Sequence, residues 1–398
     1  MQRALLSVPV GPAEPAVVTE FTRLLRDALE GSGPALAPIG PHDGRAPDVA
    51  ATVPERVALV VSTSGSTGEP RRVMLDAEAL LASACATHER LGGPGRWVLA
   101  LPAQHIAGLQ VLIRSVVAGA LPAVLATDRF DPVAAASVLV AARHQDVPVY
   151  TALVPTQLHR ILARAEGAAL PAELRPWTDV DAILVGGAAT APGLLDRARD
   201  VGLRIVTTYG MTETAGGCVY DGVPLTGVRV RIDGTVHLAG PVLARGYLDR
   251  PDLDTAFQMQ DGVRWFRTGD LGTLARGVLH VRGRADDVVV TGGVKVTPTA
   301  VEAAIAAVRG VAEVCVVGVP DDEWGQLVTA VVVPVRGAPA PTLAALRDAV
   351  VPTLGPAAAP RRLVLADALP QRGPGKVDRT AVTRQAAADA DGSRHGDD

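Results

Sequence analysis

The stretch RVALVVSTSGSTGEPR, residues 56–71, carries a β-rich apolar run straight into a loop of small hydroxylated residues and glycines. Val, Leu and Ala fill the first half, the composition of a short buried strand. The second half has little side-chain bulk, so its backbone N–H groups and hydroxyls can fold around phosphate oxygens. It is not a GxxxxGK[ST] loop, because the lysine is absent. A polar surface turn is the plain alternative, but such Ser/Thr/Gly density directly after a buried strand is unusual for a connector. The expectation is a strand, a phosphate-cradling loop, then a helix from about Asp76.

Working outward, the same alternation repeats with different sequences. Residues 16–31 read as an amphipathic helix ending in Gly. RWVLALP, LPAVLA, VPVYTALVP, DAILVGGAA and RIVTTYG read as strands, with helices from about Ala107, over 131–143, in TQLHRILARA and over 191–200. Strands alternating with helices indicate parallel α/β architecture. After residue 216 short strands with Gly turns suggest antiparallel, β-barrel-like material. From 287 a small α+β unit follows, with helices over 298–309 and 342–353. The predicted organisation is therefore α/β. A large N-terminal domain of parallel α/β subdomains and a β-barrel-like part covers 1–284, a small mobile α+β domain covers 285–385, and a polar tail over 386–398 is expected to lack structure.

Composition narrows the function. The 398 residues are 48% hydrophobic, 20% charged and only 3% aromatic, enough for more than one core, built from Ala, Val and Leu. A net charge of −4 argues against a nucleic-acid partner. Cys85, Cys218 and Cys315 show no metal or disulfide spacing. The first residues lack the apolar core of a signal peptide, and no run reaches the roughly 18 apolar residues of a membrane span. A cytoplasmic enzyme without stable membrane insertion is expected. Of 38 basic residues only Lys295 and Lys376 are lysines, and both lie in glycine-containing stretches, TGGVKV and GPGKVDR. In an arginine-dominated chain, a surviving lysine marks a place where arginine will not serve.

Further motifs follow in order. TTYGMTET (207–214) offers a flat face at Tyr209, a hydroxyl at Thr212 and, at Glu213, a carboxylate suited to Mg2+, which usually takes one or two protein carboxylates beside a nucleotide. In RTGDLG, Asp270 could accept both hydroxyls of a ribose, or simply form a turn. GRADDVVVTGGVKV (283–296) and LPQRGPGKVDR (369–379) close the set. This ordered set resembles the adenylate-forming superfamily of acyl-CoA synthetases, adenylation domains and luciferases, over about residues 57–380. Within it LPAQHIAGLQVLIRSVVAGA, TALVPTQLHRIL and HLAGPVLARGY look like the o-succinylbenzoate–CoA ligases, in a short actinobacterial form.

That resemblance implies an ATP-, Mg2+- and CoA-dependent acid ligase acting on small molecules, with a homodimer left open. Thr63, Ser64, Gly65, Ser66, Thr67 and Gly68 would hold the ATP phosphates, with Arg71 where the family usually has lysine and Arg72 where it usually has glycine. Gly186, Gly187, Thr208, Tyr209 and Gly210 would frame adenine and the aryl acid. Thr212 would contact the α-phosphate and Glu213 would bind Mg2+. Asp270 and Arg284 would hold the ribose, Asp286 would be the hinge, and Lys376 would be the adenylation lysine. Lys295 would contact a CoA phosphate or the substrate, unless it is a solvated strand-end lysine. His105 is expected at the acid pocket rather than as a mere capping residue. Arg114 or Gln110, one helical turn apart, could bind the substrate's second carboxylate; Arg114 could equally pair with an acidic surface residue. A ligase that delivers its aryl- or fatty-acyl adenylate to a carrier-protein thiol, and a degenerate nucleotide-binding module, are the competing readings.

Overall fold

The computed structural model describes residues 1–10, 14–40, 52–64, 70–127, 129–144, 146–371 and 376–394. They form a mixed α/β protein with a large N-terminal and a small C-terminal domain. The N-terminal helices are α1 (Pro15–Glu30), α2 (Ala77–Leu91), α3 (Ile106–Val117), α4 (Pro132–Ala142), α5 (Pro155–Leu162) and α6 (Pro192–Asp200). Proline opens α1, α4, α5 and α6, where its missing N–H costs nothing and its fixed φ favours the first turn. Helices α1 and α2 end on left-handed glycines, Gly31 and Gly92.

Two sheets form the helix-covered part of the large domain. In the first, the spatial order is Gly246–Tyr247, Pro70–Asp76, Val57–Ser64, Ala35–Ile39, Gln2–Pro9 and Thr52–Pro54. After residues 65–69 the chain returns as a strand antiparallel to Val57–Ser64 before α2 begins, where the sequence reading has no strand ahead of the helix. The strands Gln2–Pro9 and Ala35–Ile39 also fall outside the sequence reading. Five residues with an internal proline, ALAPI, give a weak β signal, yet this segment pairs on both sides at the sheet centre. The second sheet runs Val223–Pro224, Gly216–Tyr220, Ile205–Met211, Ala182–Val185, Val149–Leu153, Arg96–Leu99, Ala123–Val124, parallel from Ile205–Met211 outward. Helices α1, α2 and α3 fill the space between the sheets around Phe21, Leu25, Leu80, Leu109 and Trp97. Helices α4 to α6 cover the far face of the second sheet with Leu139, Leu158, Ile161 and Ala198.

An antiparallel sheet of Arg229–Asp233, Thr235–Ala239, Val263–Arg267 and Phe257–Gln260, with the hairpin Asp270–Ala275/Val278–Arg284, supplies the expected antiparallel part. In the small domain, strands Val311–Asp321, Gly325–Pro334 and Arg362–Leu365 form one sheet. Helices α7 (Pro298–Ile305) and α8 (Leu343–Leu354) cover one face and α9 (Arg379–Arg394) the other. The strands alternate accordingly: Val316, Ala330 and Val332 meet α7 and α8, whereas Cys315, Val317 and Val331 meet α9. Helix α9 corrects the expectation of a structureless tail from 386, since it continues to Arg394. Its run QAAADA is built largely from the strongest helix former, alanine, and Val382 and Ala386 bury one stripe of it. Among the described residues no helix is long and apolar enough to cross a membrane.

Candidate active site

The site gathers at the ends of the central strands of the second sheet. Strand Ile205–Met211 carries Thr208, Tyr209 and Gly210, then a short 3-10 turn carries Thr212 and Glu213. Beside it, Gly186 and Gly187 follow the strand Ala182–Val185. Here glycine is needed for close approach. A Cβ on Gly186 would fall 2.2 Å from Thr208 Oγ1, and one on Gly210 would fall 2.1 Å from the Gly216 carbonyl oxygen.

The turn bearing Glu213 is pinned from behind. Ala215, buried, adopts φ 50°, a left-handed conformation that costs a non-glycine residue energy. Its carbonyl accepts two hydrogen bonds, from Gln110 Nε2 at 2.8 Å and Ser83 Oγ at 3.0 Å. Thr214 Oγ1 accepts from the Met211 N–H at 2.9 Å, and the Ala244 N–H donates to the Glu213 carbonyl at 2.9 Å. The first turn of α3 packs here, since a Cβ on Gly216 would meet Gln110 Cγ at 3.1 Å and Ile106 at 3.8 Å. That brings the His105 end of α3 to the same turn; His105 is the N-cap residue and is half-buried.

The Glu213 carboxylate is half-buried, and its Oε1 accepts from the Tyr247 hydroxyl at 2.8 Å. Burial, then the charge of Glu213, pushes the Tyr247 phenol up, so it stays a donor. The Arg71 guanidinium interacts with the same hydroxyl, which joins the first sheet to the turn. Arg72, where the family has glycine, lies in the strand Pro70–Asp76 without a positive φ and pairs with Asp249. No glycine freedom is required there. Thr63 Oγ1 donates to the Arg71 carbonyl at 3.3 Å, and Ser64 pairs with Pro70. Gly65, Ser66, Thr67 and Gly68 lie outside the described residues.

A second line runs toward the small domain. Tyr209 donates its hydroxyl to Asp270 Oδ2 at 2.6 Å, and burial followed by the Asp270 charge drives the phenol well above its ordinary value. Asp270 Oδ1 lies 3.5 Å from Arg284 Nη1, and Arg284 Nη2 lies 3.2 Å from Asp286 Oδ2. The residues expected at the ribose and at the hinge thus form one chain of contacts. Lys295 is exposed on the hairpin Val289–Thr291/Val294–Val296, whose Gly292–Gly293 turn has φ of 54° and 80°. Lys376 is exposed beside the Gln371/Val377 bridge.

Arg114 differs from expectation. It is 3% exposed, donates to the Tyr220 hydroxyl at 3.1 Å and lies 4.9 Å over the Trp97 ring. Among the described residues no carboxylate pairs with it, surface or otherwise. A phenol and an indole face, each tolerating burial, take the place of a counter-ion. Burial lowers its pKa, and the same pocket pushes His88 down to about 4, through burial and then the charge of Arg114. Gln110 is also buried, with Nε2 spent on Ala215. Both side chains support the turn and the Gly216–Tyr220 strand from behind. Tyr247, Ser83 and Tyr220 were not singled out from the sequence; Tyr247 ends the HLAGPVLARGY segment, whose family likeness was the available signal.

The donor set suits Mg2+ beside a nucleotide. Among the described residues no cluster of three His, Cys, Asp or Glu side chains could hold a metal alone. A single half-buried carboxylate, Glu213, oriented through one oxygen, fits an ion that takes its other ligands from phosphate and water.

Comparison with known proteins identifies the family. A family model described as AMP-binding enzyme matches residues 11–248, and one described as AMP-binding enzyme C-terminal domain matches 300–376. The chain belongs to the AMP-binding enzyme family. It is 44% identical over 395 residues to a probable 2-succinylbenzoate–CoA ligase of Mycobacterium tuberculosis, covering 97% of this chain and 99% of the relative. A 2-succinylbenzoate–CoA ligase of Enterococcus faecalis is 30% identical over 352 residues, 81% of this chain and 68% of that protein. The fold matches the o-succinylbenzoate CoA synthetase of Bacillus subtilis, solved with its acyl-adenylate intermediate, with a TM-score of 0.72 and 24% identity over 95% of this chain and 88% of that one.

Proposed function

We propose that this protein joins o-succinylbenzoate to coenzyme A at the expense of ATP, a step of menaquinone biosynthesis. The near-full-length likeness at 44% to a relative bearing that name carries the proposal. In the first step a carboxylate oxygen of the acid attacks the α-phosphorus, the bond to the β-phosphate oxygen breaks, and pyrophosphate leaves with the electron pair. In the second, the sulfur of CoA attacks the acyl carbon, the bond to AMP breaks, AMP leaves, and the thiol proton passes to solvent.

The residues take these roles in the proposal. The loop from Thr63 to Gly68 and Arg71 hold the phosphates, and Thr212 contacts the α-phosphate. Glu213, oriented by Tyr247, would hold Mg2+, which supplies charge neutralisation at the phosphates. Gly186, Gly187, Thr208, Tyr209 and Gly210 frame adenine and acid, and Asp270 with Arg284 holds the ribose. His105 and the first turn of α3 line the acid pocket, with Gln110 and Arg114 backing it. Asp286 is the hinge between residues 1–284 and 285–385, across which the small domain brings Lys376 to the developing charge of adenylation and Lys295 to CoA. Cytoplasmic work belongs to the same proposal, supported by the cytoplasmic supply of ATP and CoA; sedimentation distinguishes a monomer from a homodimer. The test is acid-dependent ATP–pyrophosphate exchange with o-succinylbenzoate, benzoate, salicylate and medium-chain fatty acids. Stimulation by o-succinylbenzoate above the others is expected; its absence sinks the substrate assignment.

A further inference from the structure

Three residues beyond Lys376, Arg379 opens α9 with its guanidinium sunk among groups from three other segments. Two of its nitrogens grip Glu302 of α7, at 2.7 Å to Oε1 and 2.8 Å to Oε2. The Nη1 nitrogen also donates to the Val316 carbonyl at 2.8 Å and lies 3.5 Å from Cys315 Sγ. Nε lies 3.2 Å from Asp287 Oδ2. Glu302 is itself fixed, because Oε1 accepts from the Val316 N–H at 2.7 Å. The two terminal nitrogens are therefore spent on groups that are already held, and Nε reaches Asp287.

The position of this fork gives it a role beyond packing. Asp287 directly follows Asp286, the hinge of the proposal above, and precedes the hairpin that carries Lys295. On the other side, the loop with Lys376 stands on a closed stem. Gln371 bridges Val377, the Asp378 N–H donates to the Pro370 carbonyl at 2.8 Å, and Leu369 is buried against Val382 and Ala386. The stem is fastened to Asp287 through Arg379. A lysine on a glycine-rich loop gains little from its charge unless the loop base is held to within about an ångström of the reacting atoms.

We propose that Arg379 is the positioning residue for Lys376: it locks the stem of the lysine loop to the segment after the hinge, so that lysine and hinge move as one body during adenylation. This rests on the ligase reading above. Lysine cannot replace it, because a single ammonium cannot grip both oxygens of Glu302 and reach Asp287 at once.

The experiment uses the full chain carrying Arg379→Lys and, separately, Asp287→Ala, which removes the carboxylate that ties Arg379 to the hinge segment. Two half-reactions are measured: o-succinylbenzoate-dependent ATP–pyrophosphate exchange, and CoA thioester formation from supplied o-succinylbenzoyl adenylate. Each variant is expected to lose on the order of tenfold or more in the kcat of exchange, with the KM for ATP held and thioester formation within about twofold of the wild type. Equal losses in both half-reactions, or no loss in exchange, overturn the proposal. If Arg379→Lys melts early, Asp287→Ala alone carries the decision by the same outcomes. A wild-type protein without exchange would refute the ligase reading instead, so the two failures are distinguishable.

Discussion

Replacing Tyr247 with Phe removes one O–H, the group that donates to Glu213 and that also meets Arg71. The ring stays packed, its centroid 6.0 Å from that of Phe257. The hydroxyl donates to Glu213 Oε1 at 2.8 Å, and a bond to a charged acceptor is worth about 1.5–3 kcal/mol. Glu213 is half-buried, so water can replace part of what is lost. The lower end, about 1.5 kcal/mol, then applies, and it corresponds to about a tenfold change. Released from Tyr247, the carboxylate samples other rotamers, and that entropy is charged against metal binding. The Mg2+ concentration for half-maximal exchange should rise by about tenfold, while the KM for o-succinylbenzoate moves less than about twofold. Calorimetric titration of Mg·ATP should show the same weakening without turnover. An unchanged Mg2+ requirement would refute the role of this contact. So would a weakening accompanied by an equal drop in melting stability, since Tyr247 would then be a packing residue.

The other predictions address the lysine and the buried core. Lys376→Ala should lower exchange by about 100-fold or more while leaving CoA transfer from supplied adenylate within about twofold; equal losses would make the lysine structural. Tyr220→Phe strips Arg114 of its hydrogen-bond acceptor and should cost about 1–3 kcal/mol in urea unfolding; an unchanged midpoint would mean that the Trp97 face alone holds the guanidinium. His88, held near pKa 4 against an ordinary 6.5, stays neutral in the folded protein while the unfolded chain protonates first. Its contribution is therefore complete above pH 6.5 and lost as pH falls toward 4. His88→Gln should flatten that limb of the stability profile, and an identical profile would contradict the burial argument.

The parallel strands of the second sheet were legible because most are largely apolar runs followed by a helical period. Ala35–Ile39 escaped because it is short and carries an internal proline, and Gln2–Pro9 because its place is set by pairing with segments about 30 to 50 residues away. The strand Pro70–Asp76 escaped because PRRVMLD begins with proline and two arginines, and its pairing with Val57–Ser64 decides it. Helix α9 was hidden by its charged, polar surface, and only burial of Val382 and Ala386 shows which stripe is inside. At the site, Glu213, Asp270 and Arg284 could be named from short motifs. Their partners could not: Tyr247 stands 34 residues from Glu213 and Ser83 132 residues from Ala215. Arg114 shows the limit most clearly. A charge in an apolar helix signals a partner, but whether that is a substrate carboxylate, an acid or a phenol depends on what the neighbouring strand presents.

The most direct measurement follows every product of one complete reaction, with o-succinylbenzoate, ATP, Mg2+ and CoA, by mass spectrometry. The account predicts o-succinylbenzoyl-CoA, AMP and pyrophosphate in equal amounts. ADP and phosphate as products, or an acyl-adenylate that CoA leaves untouched and only a carrier-protein thiol discharges, would contradict it.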